Sequence, residues 1–298
     1  ARWRGRRHEG VCPPQWGADL FKKIIPASRP SKRTAVVIST GVHQNTLLYE
    51  GFSRRLVGEG FTTLCYDHRG FGRSPSYEGY ERSMVPEWHN LQRPSVTGDL
   101  RNVVLFAKAE LGVDKVVVFG HSLGGLAAGL LATCGENTAD GFILSNPSLQ
   151  NPWASAVDEL SLKTPTECNG TFVTSGASNN ADFLALWDSP EVYEHIEPER
   201  PFKAGYQLAA NFAIEVVRSR FDQFDSPALI LRGEADDFEQ GACADLVAGA
   251  STPPSDLVLK SYEGMAHEII FEDGLDMAPG NNRVVDDIVA WLHRFASA

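Results

Sequence analysis

The run VVVFGHSLGGLAAGLL, spanning Val116–Leu131, leaves this chain little freedom. Its first half is continuous, apolar and β-branched, which suits a strand covered on both faces. Its second half is apolar and built from small residues, which suits a helix packed closely on that strand. Only a sharp turn fits between the two, and Ser122 stands at the turn. A residue at such an apex takes a strained backbone conformation, and Gly120 and Gly124 let neighbouring chain pass close to it. The helix that follows points its positive end at the hydroxyl. Ser122 is therefore a candidate nucleophile. The plain alternative is a buried strand, turn and helix with no chemistry. A serine hydroxyl is a weak nucleophile without a base and an acid that orients the base, so the rest of the chain has to supply both.

Other β-branched or apolar runs fall at 34–39 (TAVVIS), 61–66 (FTTLCY), 115–119 (KVVVF), 141–145 (GFILS), 228–231 (ALIL) and 257–262 (LVLKSY). Helical patterns fall at 49–59, 96–111, 123–133 and 283–295. Strands that alternate with helices and carry unbroken apolar runs predict a wound α/β fold with a mostly parallel central sheet flanked by helices. Phe21–Ile25 is expected as an earlier edge strand. The rhythm breaks at 147–226, where prolines and aromatics are dense and the best helical piece is 203–220. Eighty residues are too many for an ordinary loop, so this stretch reads as an inserted, mostly helical cap. The expected organisation is a basic arm over 1–33, core over 34–146, cap over 147–226 and core again over 227–298.

The acid and base should follow the nucleophile in chain order, each just past a late strand. Asp236 follows ALILRGEA, with Asp237 as its competitor, and His267 follows LVLKSYEGMA. Of the eight histidines, His267 is the one that follows the last strand and precedes the last helix. The strand before the cap ends in Ser145-Asn146-Pro147 and offers no carboxylate. Two backbone N–H groups are needed for a developing oxyanion: that of Leu123, after the nucleophile, and that of Val42, in the loop where Gly41 permits a tight bend.

Taken together, these motifs resemble the α/β-hydrolase family, and within it the monoacylglycerol lipase-like branch of serine-aminopeptidase-type hydrolases. The resemblance runs from about Ala35 to the C-terminus. It is carried by STGVHQNTLLYEGFSRRL, YDHRGFGRS, GHSLGG, LILRGEADDFEQGA and YEGMAHEIIFE. In that branch the acid is the Asp of a Gly-x-Ala-Asp element, which selects Asp236 over Asp237. The resemblance implies a Ser122–His267–Asp236 triad acting through an acyl-enzyme, an oxyanion hole at Val42 and Leu123, and a small hydrophobic acyl ester as substrate, such as a monoacylglycerol or lysolipid. Thioester, lactone and carbon–carbon bond cleavage use the same groups, and a non-catalytic ligand receptor is the rival from another class. Two departures stand out. Thr40-Gly41 replaces the family's His-Gly, and the loop over 78–94 is longer, so that Trp88 and His89 are expected at the pocket mouth. Gly41, His43, Trp88, His121, Phe183, Trp187 and Tyr206 are the expected substrate contacts, the cap aromatics supplying an apolar wall. The alternative for ADFLALW, 181–187, is a helix that touches a membrane. Asp67-His68-Arg69 is expected to pack the loop beside the turn, and Asp99, Asp286 and Asp287 to be charges on helix surfaces.

Charge narrows the partners. Nine Lys and Arg against Glu9 and Asp19 give the first 33 residues +7, which leaves −18 for the remainder of a chain at −11. A body this acidic repels phosphate backbones and excludes nucleic acid. The basic start reads as a solvated tail, with peripheral contact to an anionic membrane or a remnant targeting peptide as the alternatives. No apolar run approaches the roughly 18 to 20 residues of a membrane span. Five dispersed cysteines without metal spacing suit a reducing, intracellular setting better than a disulfide framework. No nucleotide, phosphate or metal motif is present, so no cofactor is expected.

Overall fold

Among the described residues the main sheet has eight strands, and their order explains where a site can form. The fold was obtained as a computed structural model that describes residues 8–11, 20–27, 33–76, 88, 91, 95–136, 138–150, 168–171, 177–193, 201–238 and 241–298, with side chains left out at 8–11, 168–171, 193 and 201–208. The sheet strands are β1 (His8–Val11), β2 (Phe21–Ile25), β3 (Thr34–Ser39), β4 (Thr62–Tyr66), β5 (Lys115–His121), β6 (Gly141–Ser145), β9 (Ala228–Gly233) and β10 (Leu257–Tyr262), in the spatial order β1-β2-β4-β3-β5-β6-β9-β10. β2 runs antiparallel to both of its neighbours, β1 and β4, and the other pairings in this sheet are parallel. Phe21–Ile25 is thus a strand as expected but not an edge, because His8–Val11 pairs outside it. The sequence HEGV of β1 carries no apolar run that would announce it.

Helices α1 (Glu50–Gly58), α2 (Val96–Glu110) and α3 (Leu123–Ala132) follow β3, β4 and β5. The expected runs and the observed strands coincide because both faces of the sheet are covered. Along β5, Val116 and Val118 enter one apolar cluster with α2 and α3, whereas Val117 and Phe119 enter another with α1 and the last helix. Alternating residues point to opposite faces, and each face meets its own layer. From β3 the chain winds one way to β4, then crosses back to β5. The direction of winding therefore reverses between β3 and β5, and a crevice opens beyond their carboxyl ends.

Between β6 and β9 lie strand β7 (Cys168–Thr171), helices α4 (Ala181–Trp187) and α5 (Pro190–Tyr193), strand β8 (Pro201–Lys203) and helix α6 (Ala204–Arg218). β7 and β8 form an antiparallel ribbon of their own, a feature not expected from sequence. The segment is also less separate than expected. Ala213, Ile214 and Val217 of α6 and Leu149 are buried with α3 in the core. The chain closes with α7 (Ala242–Gly249), α8 (Ile269–Glu272) and α9 (Arg283–Ser297). Among the described residues no helix is long and apolar enough to cross a membrane.

One expectation about charge is corrected, that for Asp99; Asp286 and Asp287 do reach the surface of α9, but within ion pairs. Asp99 is not a surface residue. It is 2% exposed in the first turn of α2 and accepts two hydrogen bonds from the Arg69 guanidinium, at 2.8 and 2.6 Å. Asp286 and Asp287 are partly buried and bound: Asp286 pairs with Arg55 at 2.9 Å, and Asp287 accepts from Tyr262 Oη at 2.8 Å and pairs with Lys260. The Arg69 pair pins the DHRG loop to α2. Removing one member of a buried pair strands the other charge at about 3–5 kcal/mol, more than the pair itself contributes. Asp99→Ala is therefore expected to lose about 3–5 kcal/mol in urea unfolding. Arg69→Met combined with Asp99→Leu should lose less than Asp99→Ala alone, and a double variant as unstable as the single would show that geometry, not the orphaned charge, sets the cost.

Candidate active site

The strands that lead to the triad and oxyanion candidates all end on one side of the sheet. β3 leads to the loop at 40–46, β5 to Ser122, β9 to Asp236 and β10 to His267. β3 and β5 pair in register Ser39↔Gly120, so the 40–46 loop and the serine turn are neighbours.

Ser122 adopts φ 52° and ψ −114°, a region that a residue with a side chain occupies only when its surroundings force it. The force is steric and can be read in the flanking glycines. A Cβ on Gly120 would lie 2.4 Å from the Gly124 carbonyl oxygen, and one on Gly124 would lie 2.1 Å from that of Ser39. The turn closes only where backbone touches backbone. The Ser122 N–H donates to Ser145 O at 3.1 Å, and its carbonyl accepts from Ser148 N–H at 2.9 Å, which fastens the turn to β6 and the loop after it.

The turn brings Ser122 Oγ to 2.8 Å from His267 Nε2, while His267 Nδ1 stands 2.7 Å from Asp236 Oδ2. Three side chains from far apart in sequence thus make one line of hydrogen bonds, and all three residues are buried. The other oxygen of Asp236 accepts from Phe238 N–H at 2.8 Å, which aims the carboxylate. Asp237 takes no part in the line. Burial alone would lower the His267 pKa. The hydrogen bond and charge of Asp236, with the charge of Glu268 adding to them, outweigh burial and raise it above the ordinary imidazole value. Among the described residues, neither the Val42 N–H nor the Leu123 N–H has an acceptor. Leu123 is the first residue of α3, whose amino end carries the positive pole of its dipole.

The 40–46 loop is held from beneath. His68 Nε2 donates to Thr40 O at 3.1 Å and lies 3.2 Å from Ser39 Oγ, and burial pulls this imidazole down to about 4, so it is neutral. Asp67 Oδ1 accepts from Thr46 N–H at 2.7 Å. DHR thus packs the loop beside the turn as expected.

The expected substrate contacts fare differently. Gly41 lies in the loop, its N–H donating to Gln44 Oε1 at 2.8 Å. His43 is buried, with φ 53°, its ring edge-on to Phe71. His121 is fully buried and Nδ1 donates to Ser145 O at 3.0 Å, so its ring lies inside the protein rather than on a pocket wall. Trp88 is 1% exposed among core residues, with its carbonyl accepting Thr97 N–H, not at a pocket mouth; His89 lies outside the described residues. Phe183 stacks on Phe271 with ring centroids 4.0 Å apart, and Trp187 Nε1 donates to His43 O at 2.9 Å. Both aromatics fasten α4 to the core, a use of apolar area that a sequence pattern does not separate from lining a pocket. Tyr206 sits on α6, and its side chain is among those not described.

Sequence reasoning missed three residues. Asn146 Nδ2 donates to the Ala266 and His267 carbonyls at 3.1 and 2.9 Å, and its Oδ1 accepts from Gly233 N–H at 2.8 Å, so it ties the acid-bearing strand to the histidine loop. A polar residue between an apolar strand and a proline was the available signal. Ser148 Oγ is 3.3 Å from Ser122 Oγ, and no pattern marked it. Phe238 places its ring 5.1 Å from that of His267. The ligand atoms of His121, His267 and Glu268 lie within 4.8 Å of one another. Both His267 nitrogens are already engaged, so this group reads as a polar network more readily than as a cation site.

A family model described as serine aminopeptidase, S33, matches residues 30–274. The solved structure of a monoacylglycerol lipase from Paleococcus ferrophilus is 20% identical, with 93% of this chain and 99% of that one covered and a TM-score of 0.72. A soluble variant of monoglyceride lipase from Saccharomyces cerevisiae, in complex with a substrate analog, is 18% identical, with 97% of each chain covered and a TM-score of 0.76. A thermostable carboxyl esterase from Bacillus coagulans is 16% identical, with 98% of each covered and a TM-score of 0.71. These likenesses are of fold.

Gly124→Ala tests the steric account of the turn. Helix propensity alone would make alanine more stable by about 1 kcal/mol. The contact with Ser39 O reverses that sign, so a loss of stability is expected in thermal unfolding, and a gain would show that the turn has slack.

Proposed function

Since the chain belongs to the serine aminopeptidase S33 family of hydrolases, within the α/β-hydrolase superfamily, we propose that it cleaves a carboxylic ester of a hydrophobic acyl group through an acyl-enzyme on Ser122. The observation that carries this is the unbroken line from Ser122 Oγ through His267 to Asp236, at 2.8 and 2.7 Å. His267 takes the Ser122 proton as the oxygen attacks the carbonyl carbon. Asp236 keeps the proton of the resting ring on Nδ1 and stabilises the imidazolium that forms. The Val42 and Leu123 N–H groups receive the oxyanion, aided by the α3 dipole. His267 then hands its proton to the leaving alcohol, and in the second half it activates a water that releases the acid.

The strained φ of Ser122 serves this chemistry, since it presents Oγ beyond the strand ends toward both His267 and the substrate. The choice of an ester over a thioester or lactone, and of a monoacylglycerol- or lysolipid-like substrate, draws on the resemblance and on what the similar lipases are named for. Peripheral membrane contact remains part of the proposal, and Phe212, 58% exposed on α6, is the side chain to watch.

The test is a panel of esters, thioesters and amides of graded acyl length, run beside fluorophosphonate labelling. Ser122→Ala should lose labelling and at least about 10³-fold in turnover, and Asp236→Asn about 10⁴-fold. Full turnover by folded Ser122→Ala would refute the assignment. The base must be neutral to act, so kcat/KM should fall with decreasing pH through a midpoint above the ordinary imidazole value. Asp236→Asn removes what raises it, and the acid limb of its residual activity should move to lower pH.

A further inference from the structure

Glu268, the residue after His267, is 1% exposed. One of its oxygens, Oε1, accepts from Gln44 Nε2 at 2.8 Å and lies 3.1 Å from His121 Nε2, an ion-pair distance without hydrogen-bond alignment. Among the described residues its Oε2 has no donor. A buried carboxylate with an unsatisfied oxygen costs stability, so stability does not explain why it is there. Its connections offer another reason. Gln44 Oε1 accepts from Gly41 N–H at 2.8 Å and from Tyr49 Oη at 2.6 Å. One primary amide therefore grips the backbone just before Val42 with its oxygen and the residue just after His267 with its nitrogen.

We propose that Gln44 and Glu268 are positioning residues, a buried clamp that fixes the Val42 N–H relative to His267 and so aligns the oxyanion donor with the base. Neither touches the reacting atoms. The residue types follow from the connections. The middle member must accept from a backbone N–H and donate to a carboxylate at once, which an amide does; a carboxylate there would face Glu268 with like charge, and an aliphatic chain would do neither. The clamp crosses 224 residues of sequence and joins the loop after β3 to the loop after β10. The far end is anchored too, because Glu268 N–H donates to Ala177 O at 3.0 Å. The charged and titratable groups that interact with Glu268 among the described residues are His121 from β5, Tyr49 just before α1, and His267.

The proposal rests on the acyl-transfer function above, and the experiment separates the two. Gln44→Leu, Glu268→Ala and Glu268→Gln are compared with the unaltered protein by p-nitrophenyl ester kinetics, fluorophosphonate labelling and amide hydrogen exchange over residues 40–46. Deleting an oxyanion donor costs about 10²–10³ in kcat, and one left in place but unclamped should cost about 10–100-fold, with KM changed by no more than about threefold. Glu268→Ala should match that loss. Glu268→Gln keeps an oxygen for Gln44 and should recover most of it, while moving the acid limb of kcat/KM to lower pH because a charge that raises the His267 pKa is gone. Exchange at Gly41 and Val42 should speed up in Gln44→Leu. Folded Gln44→Leu with kcat within about twofold, or with lower stability but unaltered kcat, overturns the clamp. If the unaltered protein neither turns over esters nor takes the label, acyl transfer fails on its own. Exchange then decides the clamp: faster at Gly41 and Val42 in Gln44→Leu supports it, and unchanged overturns it.

Discussion

The structure depends on how closely the loop after β3 and the turn after β5 approach each other. Their strands pair as neighbours, and the turn crosses with Gly124 against the carbonyl of Ser39. That contact leaves no room for a side chain. It forces Ser122 into its left-handed conformation, lifts the hydroxyl clear of the strand ends, and sets the first residue of α3 beside the loop that contains Val42. The strain, of order 1–3 kcal/mol for such a residue, is borne by the buried strands on either side. Val116, Val117, Val118 and Phe119 are all fully buried, so β5 has nowhere to shift to relieve it.

A site assembled from strand ends needs its loops to agree in position, and here polar groups from distant elements enforce that agreement. Asn146 joins the strand that precedes Asp236 to the carbonyls on either side of the Ala266–His267 bond. Arg69 and Asp99 hold the DHR loop, whose Asp67 and His68 in turn support the 40–46 loop. Apolar burial fixes the sheet, but these bonds fix the spacing at its rim.

What could be read from the residues divides along the same line. The parallel strands after the N-terminal pair were legible because continuous apolar runs have one reading in a sheet covered on both sides. The serine turn was legible because Gly120, Ser122 and Gly124 combine a steric requirement with a strand before and a helix after. His267 followed from strand position and chain order, which for the acid left Asp236 and Asp237 side by side; the resemblance to a Gly-x-Ala-Asp element chose Asp236. β1 was not legible, since HEGV has no pattern that separates it from a loop. Asp99 looked like a surface charge because its partner Arg69 lies 30 residues away. Gln44 and Glu268 gave no signal, since their partnership exists only once the sheet has formed. The aromatics of ADFLALW were visible, but their destination was not: Phe183 against Phe271 and Trp187 against the His43 carbonyl are core contacts.

Helix α4 has one more property. At its amino end Asn180 Nδ2 donates to Phe271 O at 2.5 Å and Asn179 holds Glu272, so it is tied to the chain just past the histidine; at its carboxyl end Trp187 is tied to the loop just past β3. The helix is thus a cross-brace between opposite walls of the crevice. A shift of this seven-residue brace would therefore pull on both loops at once, coupling the separation of the two walls to their alignment.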